Sequence, residues 1–176
     1  GLSLFSRGDG TSTSGYAIQY HNSGGTPRII SYQRKTGAYN YIAHNVTLTP
    51  GQWYHIVWVN GGTGVESSYY IDGVQVVTKT HSQDIISASS VPLYLGSNSA
   101  ANTSWAGNIC NMGMWTSALT QPQIKSIMYK NYAGLNTSET TNLVSWWSLG
   151  EETATDGTAG TGGVKDYHGS NNGTLS

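Results

Sequence analysis

The sequence predicts an all-β fold with one short α-helix. Charged residues occupy only 10% of the 176 positions, well below the roughly 25% of an average soluble domain. Gly, Ser, Thr, Asn and Tyr take their place, and 11% of the residues are aromatic. Because Gly and Asn tolerate positive φ in turns while Tyr and Thr fit a pleated surface, this composition favours many short strands joined by polar turns.

Strand and turn signals follow one another through the first two thirds of the chain. Three segments with turn residues between them predict a meander of hairpins: 16–20, 28–33 and 38–43. Asp72-Gly73 stands between two further strand-like segments and is a pair that a type I′ turn prefers, because both positions need positive φ. Three more strands are predicted, over residues 53–60, 91–95 and 107–115.

The single helix is predicted just after the last of these strands. Thr120 and Gln123 have the spacing of a capping box, and Pro122 sits in the first turn, where its missing N–H costs nothing. Apolar residues at 124, 127 and 128 share one face, and Gly134 is expected to end the helix after about three turns.

The lone cysteine, Cys110, is expected in a buried strand as a small hydrophobe.

Charge and hydropathy exclude several classes of partner. The net charge is −1, and the eight Lys and Arg residues form no basic block, so we expect no nucleic-acid binding. The longest apolar run, 56–59, is a strand's length, so we expect no membrane insertion. One cysteine excludes an intrachain disulfide framework.

Four motifs occur in one order along the chain: Gly-Gln-Trp-Tyr-His-Ile-Val at 51–57, Tyr-Ile-Asp-Gly-Val at 70–74, Leu-Gly-Ser at 95–97, and the strand and helix entry from 107 to 124. In this order the chain resembles the laminin-G-like domains of the concanavalin A-like lectin/glucanase superfamily. The resemblance covers residues 1–135. It implies an antiparallel two-sheet β-sandwich (jelly roll) in which the helix is an accessory element.

The two ends of the chain depart from the family's order. The resemblance implies that residues like those at 143–149 and 166–175 open such a domain, before a segment like Leu-Phe-Ser-Arg, which here stands at 4–7. We therefore assign residues 1–135 to the sandwich and 136–176 to a segment that resembles its opening strands. Three accounts stay open: a piece of a longer repeat protein, to which the start at Gly1 also points, a fold-back that closes the chain's own sandwich, or a strand donated to a neighbouring subunit.

Apolar side chains in that segment are candidates for assembly with a neighbouring copy. A sandwich that lacks a strand exposes N–H and C=O groups and apolar area, which invites pairing with another chain. The alternative is that these side chains fill the chain's own core. The candidates are Leu143, Trp146, Trp147 and Leu149.

No arrangement of residues predicts catalysis. Glucanases of this superfamily carry two glutamates and an aspartate closely spaced on one strand, and none of the nine carboxylates here has such spacing. The chain also lacks a Gly-x-Ser-x-Gly nucleophile elbow. His55 is expected to be a core or cross-strand residue beside Trp53 and Val57. We expect that the protein is not an enzyme.

Two kinds of ligand remain for this chain. No cofactor is expected to be required, but the resemblance allows Ca²⁺ at a loop rim, where hard oxygen ligands would come from Asp9, Asp84 and Asp166. Glycan recognition needs aromatic rings for stacking and amides for sugar hydroxyls. The candidates for it are Tyr32, Tyr39, Tyr41, Asn98, Asn102 and Trp105.

These observations lead to a functional hypothesis with alternatives. We predict a non-catalytic surface or structural module of a fibre, capsid decoration or adhesin, located outside the cell, at the cell surface or on a virion. Its partners would be neighbouring copies or subunits of one assembly, together with glycans or a receptor. The alternatives are a structural tandem repeat without a ligand, and an accessory carbohydrate-binding domain of a carbohydrate-active enzyme.

Overall fold

A computed structural model describes residues 1–8, 15–22, 24–35, 38–81, 91–98, 103–149 and 163–174, with the backbone alone for 34–35 and 38–39. The described residues form several antiparallel sheets, two short α-helices and one 3-10 turn. They group into two compact units, Gly1–Gly107 and Asn108–Ser176. None of the described helices has the length and apolar character that a membrane span requires.

The first unit contains eight strands in two sheets. In chain order they are β1 (Leu2–Arg7), β2 (Gly15–His21), β3 (Arg28–Lys35), β4 (Ala38–Asn45), β5 (Ile56–Val59), β6 (Glu66–Ile71), β7 (Val74–Thr80) and β8 (Leu93–Leu95). One sheet has the order β4-β3-β2-β1-β8 and the other the order β5-β6-β7. The predicted meander is confirmed, because β2, β3 and β4 pair with their neighbours in sequence.

The hairpin predicted at Asp72-Gly73 joins β6 to β7. Asp72 has φ 49° and Gly73 has φ 73°, so both central positions are left-handed, as a type I′ turn requires. Asp72 also fastens the segment before β5, because its Oδ1 accepts the His55 N–H at 2.8 Å and its own N–H donates to the His55 carbonyl at 2.8 Å.

The core of the first unit takes residues from both sheets. Ile29 and Ile42 of the five-stranded sheet and Tyr69 of the three-stranded sheet are at most 1% exposed. The Tyr69 hydroxyl lies beside Ser31, and burial raises the pKa of Tyr69 above its ordinary value. The Gln33 side chain donates to Asn60 Oδ1. The chain is thus all-β, and two sheets that share a core are consistent with a β-sandwich.

The second unit contains short helices and short sheets. Its elements are β9 (Met112–Trp115), α1 (Gln121–Ile127), a 3-10 helix (Tyr132–Gly134), α2 (Thr137–Thr140), β10 (Leu143–Trp147), β11 (Gly163–Val164) and β12 (Gly173–Thr174). β10 pairs with β9, and β11 pairs with β12. The segment that resembles a domain opening is therefore paired within its own chain. The assignment of domains to 1–135 and 136–176 stays a prediction.

Three predicted strands are shorter than the sequence indicated. β5 begins at Ile56 and leaves out residues 53–55, because the backbone N–H and carbonyl of His55 bond to Asp72 in the turn and not to a neighbouring strand. Trp53 is 61% exposed. β8 begins at Leu93 rather than at residue 91. β9 begins only at Met112, because Asn111 has φ 51°, which interrupts extended backbone. Cys110 is exposed and outside any strand, so its expected burial is wrong.

The helix begins as predicted but ends early. Thr120 Oγ1 accepts the Gln123 N–H at 3.4 Å, and the Thr120 N–H donates to Gln123 Oε1 at 2.9 Å. α1 has seven residues and ends at Ile127. Gly134, which was expected to end this helix, lies in the 3-10 helix that follows. α2 was not predicted. Asn136 and Glu139 form a second capping box at its start.

Candidate ligand-binding face

Two of the six glycan candidates stand side by side on one face of the five-stranded sheet. Tyr32 of β3 is directly opposite Tyr41 of β4, and Ala17 of β2 is opposite Tyr32. Directly opposed residues share a face, and neighbours along a strand point to the other one. This tyrosine face is thus the reverse of the face that carries Ser31 and Gln33. Tyr41 is 44% exposed and Tyr32 is half-buried.

A row of polar side chains continues the tyrosine face across β2 to β1. Gln19 Nε2 donates to Ser3 Oγ at 2.9 Å, and Gln19 Oε1 lies 2.8 Å from His21 Nε2. The Tyr32 hydroxyl lies 3.3 Å from the same nitrogen, with the two rings 5.9 Å apart. An amide oxygen can only accept, so His21 Nε2 carries the proton in this arrangement. Partial burial lowers the pKa of His21, with Arg28 adding to the effect, which favours the neutral ring.

Lys79 of β7 places a positive charge at the edge of this face. Its Nζ lies 4.5 Å from the centroid of the Tyr41 ring and donates to the Tyr41 carbonyl at 2.8 Å. A cation over an aromatic ring at an exposed site contributes about 0.5–1 kcal/mol. The contact therefore holds the Tyr41 side chain in one orientation and leaves part of its surface exposed to solvent.

The other glycan candidates do not join the tyrosine face. Asn98 is 7% exposed and so cannot serve as a rim amide. The half-buried Trp105 packs edge-on against Tyr20, with centroids 6.4 Å apart. Tyr20 alternates with Gln19 and belongs to the opposite face of β2. Asn102 lies outside the described residues, and for Tyr39 only the backbone of β4 is described.

Gln19, His21 and Lys79 are the members of the site that sequence reasoning missed. Gln19 and His21 are two residues apart on β2, so the alternation of that strand places them on one face. That signal was present in the sequence. The position of Gln19 and His21 beside Tyr32 depends on the strand register. The contact of Lys79 with Tyr41 joins two edge strands, β7 and β4, and the two residues are 38 positions apart in the sequence.

Asp166 is a structural residue and not a fitting calcium ligand. Its Oδ1 accepts the N–H groups of Trp146, His168 and Gly169, each at 3.0 Å, and its Oδ2 accepts the Asn171 N–H at 3.1 Å. A carboxylate surrounded by N–H donors turns hydrogens toward the place where a cation would sit. Asp9 and Asp84 lie outside the described residues, and within the described part of the chain no three His, Cys, Asp or Glu side chains are grouped to hold a metal.

Three of the four assembly candidates are buried within their own unit, and the fourth is half-buried. Leu143, Trp146 and Trp147 are between 2% and 6% exposed, and Leu149 is half-buried with φ 61°. Trp146 packs edge-on against Trp115 of the paired strand β9, with centroids 6.1 Å apart. Leu143, Trp146 and Trp147 therefore fill the core of their own unit, and assembly through the four candidates stays a prediction.

Three histidines of the first unit predict acid sensitivity. Burial lowers the pKa of His21, His55 and His81; Lys79 adds to the effect at His81, and Asp72 opposes it at His55. An unfolded histidine has a pKa of about 6.5, so the unfolded state binds more protons below that pH. We expect the free energy of unfolding to be constant above about pH 7 and to fall as the pH drops through 6.5.

Urea unfolding at a series of pH values between 7.5 and 5 measures this fall, with His81→Leu as the comparison variant. His81 is 1% exposed, and neither ring nitrogen has a hydrogen-bond partner among the described residues. The leucine variant should lose part of the pH dependence without loss of stability at pH 7.5. A wild-type stability that rises between pH 7 and pH 5 would contradict the prediction.

The fold and the face define a β-sandwich-like module with an aromatic and polar surface. Residues 2–125 match a laminin G family model described as the concanavalin A-like lectin/glucanases superfamily. The chain belongs to this superfamily, which confirms the resemblance seen in the four motifs.

A solved structure gives a more distant likeness. It is the crystal structure of an S-layer domain-containing protein (residues 221–444) from Clostridium thermocellum ATCC 27405, to which the chain is 17% identical with a TM-score of 0.38. The likeness covers 72% of this chain and 62% of that chain, so this chain spans less than two thirds of its length. No curated protein matches the sequence.

Proposed function

We propose that this chain is a non-catalytic surface module whose tyrosine face binds a glycan. The observation that carries the proposal is the placement of Tyr32 and Tyr41 as direct cross-strand neighbours, followed by the polar row of His21 and Gln19. Sugar rings stack their C–H faces on aromatic rings, and their hydroxyls need paired donors and acceptors. This face offers both within one short span of sheet.

The polar row suits a neutral sugar hydroxyl because its groups both donate and accept. The Tyr32 hydroxyl can do either, and the Gln19 amide carries two donors and an acceptor. These groups already bond to one another, so their side chains are ordered before a ligand arrives. Ordering in advance reduces the entropy that binding costs. Lys79 adds an ammonium at the edge of the site, where a charged or hydroxyl substituent would meet it.

The absence of catalysis is part of the proposal. Three of the described carboxylates have structural roles: Asp72 fastens the segment before β5, Glu139 pairs with Lys130, and Asp166 fastens the loop after β11. The fourth, Glu66, is exposed at the start of β6. Glycoside hydrolysis needs two carboxyl groups about 5–10 Å apart across the scissile bond, and none of these four is presented with such a partner.

The wider setting of the proposal follows the sequence hypothesis. We infer a jelly-roll sandwich that acts outside the cell, at the cell surface or on a virion, in an assembly of copies or subunits and without a required cofactor. Membership of a superfamily named for lectins supports the carbohydrate part. The chain's low charge and the absence of a basic block argue against nucleic acid as the ligand.

A glycan array followed by calorimetry tests the tyrosine face, with Tyr41→Ala as the main variant. Wild-type protein should bind at least one array glycan, and Tyr41→Ala should weaken that binding by up to about tenfold, since one aromatic contact contributes about 0.5–1.5 kcal/mol. Tyr32→Phe keeps a ring and removes the hydroxyl, and it should weaken binding by less.

Tyr129→Ala is the matched control, because Tyr129 is 89% exposed and lies in the second unit. This variant should bind like the wild type. The proposal fails if no array glycan binds, or if Tyr41→Ala and Tyr129→Ala bind a glycan equally well. Circular dichroism and the melting temperature of each variant separate a loss of binding from a loss of fold.

A further inference from the structure

A second group of aromatic and cationic side chains lies beyond the residues that the family model covers. The ring of Tyr132, in the 3-10 helix, has its centroid 6.1 Å from that of Tyr167 and 5.9 Å from that of His168. The Tyr132 hydroxyl lies 3.2 Å from His168 Nδ1. Lys165 Nζ lies 4.7 Å from the centroid of the Tyr167 ring. These four residues form the C-terminal aromatic cluster.

The backbone beneath this cluster is fixed by hydrogen bonds. The Tyr167 N–H donates to the Trp146 carbonyl at 2.8 Å, and the His168 N–H donates to Asp166 Oδ1 at 3.0 Å. On the other side, Asn131 Oδ1 accepts the Gly134 N–H at 3.1 Å and caps the 3-10 helix that carries Tyr132. The four side chains therefore stand on an ordered base, which lowers the entropy that binding a ligand would cost.

Lys165 of the cluster takes part in no ion pair with another described residue. Within the described part of the chain, the one ion pair joins Lys130 to Glu139. Lys165 is exposed, and its ammonium rests on the face of Tyr167. A cation–π contact leaves the N–H groups of the ammonium available as donors. An arriving carboxylate could therefore bond to Lys165 beside the Tyr167 ring.

We propose that the C-terminal aromatic cluster binds a pyranose that carries a carboxylate. The sugar would place a C–H face on the tyrosine rings and its carboxylate toward Lys165 and the exposed His168. Half-buried tyrosines supply the stacking surface, and the exposed ammonium of Lys165 favours an acidic sugar over a neutral one. The cluster shares no residue with the tyrosine face, and the proposal does not depend on the function proposed for that face.

Calorimetric titration of the full chain tests the proposal with two pairs of probes. The first pair is tetragalacturonic acid and its methyl ester, which differ in the carboxylate charge; the second is sialyllactose and lactose. At a probe concentration of about 10 mM, a Kd of 1 mM or tighter is visible. We expect at least one acidic probe to bind about tenfold more tightly than its neutral partner, and more weakly as salt rises. The pair that shows the difference identifies a uronic or a sialic acid source.

Two variants locate the binding. Lys165→Met removes the charge and keeps a straight side chain, so it should reduce the affinity for the acidic probe to that for the neutral one. Lys125→Met is the matched control, because Lys125 is an exposed lysine in the last turn of α1. This control should bind like the wild type. The proposal is overturned if neither acidic probe binds, if acidic and neutral probes bind equally, or if Lys165→Met leaves the affinity unchanged.

Discussion

Asp166→Asn is expected to reduce the free energy of unfolding by about 3 kcal/mol, because hydrogen bonds to a buried charged group contribute about 1.5–3 kcal/mol each and an unsatisfied donor adds a further cost. Asp166 is 5% exposed, and its carboxylate accepts four backbone N–H groups from two segments of the second unit. An asparagine amide keeps one oxygen but turns an NH₂ group toward those donors. At least one N–H would then be buried without a partner.

The size of this loss should depend on pH in a defined direction. Burial alone would raise the pKa of Asp166, but the N–H donors outweigh it and hold the pKa below its ordinary value. An unfolded aspartate has a pKa of about 3.9. The stabilisation is thus fully present above that pH and is lost as the pH falls through the lower folded value. Wild type and Asp166→Asn should therefore differ most near neutral pH and converge in acid.

Urea unfolding and amide hydrogen exchange measure the two parts of this prediction. Exchange protection should fall at the four donors, Trp146, His168, Gly169 and Asn171, while the β6–β7 hairpin keeps its protection. Glu66→Gln removes an exposed carboxylate and should change stability by less than about 0.5 kcal/mol. If Asp166→Asn proves no more destabilising than Glu66→Gln, the structural role assigned to Asp166 is wrong.

Local chemistry made part of this fold predictable. The Asp72-Gly73 turn and the Thr120–Gln123 capping box were confirmed because each depends on a few adjacent residues and on rules that hold in any surroundings. The late start of β9 was not predicted, because Asn111 adopts φ 51° in its structural context. Asparagine tolerates the left-handed backbone conformation, but the sequence alone does not show which asparagine adopts it.

The candidate site was only half predictable, for a different reason. The sequence offers Tyr32 and Tyr41 as two separate aromatic candidates, and the register of β3 with β4 places them opposite each other. The strand register also places His21 in the polar row beside Tyr32, and the amino-acid composition does not reveal that position. Asp166 was interpreted as a possible calcium ligand because its type suits the metal. Whether a carboxylate meets cations or N–H groups depends on tertiary contacts, here with Trp146, twenty residues away.

The ion pair between Lys130 and Glu139 gives the second large expected effect. Glu139 is 1% exposed, and Lys130 Nζ donates to both of its oxygens at 2.7 and 2.8 Å. The same carboxylate accepts the Asn136 N–H at 2.8 Å and so caps α2. Lys130→Met removes the cation and leaves a buried carboxylate without its partner, which costs about 3–5 kcal/mol. Glu139→Gln should cost less, because it removes the buried charge while a side-chain oxygen still reaches the Asn136 N–H.

The decisive measurement is whether Lys130→Met lowers the free energy of unfolding more than Glu139→Gln does, and the pH dependence of stability supplies a second test. Burial opposes the charge on Glu139, but the hydrogen bonds from Lys130 lead the contacts that lower its pKa below the ordinary value. The stabilisation is present above the unfolded pKa of about 4.3 and is lost as the pH falls below it. In urea unfolding, Lys130→Met should therefore be far less stable than the wild type at pH 7, and the difference should be smaller at pH 3. Lys125→Met removes an exposed lysine of the same unit and should match the wild type at both values. If Lys130→Met is no more destabilising than Lys125→Met at pH 7, the pair contributes nothing to folding and serves only to position α2.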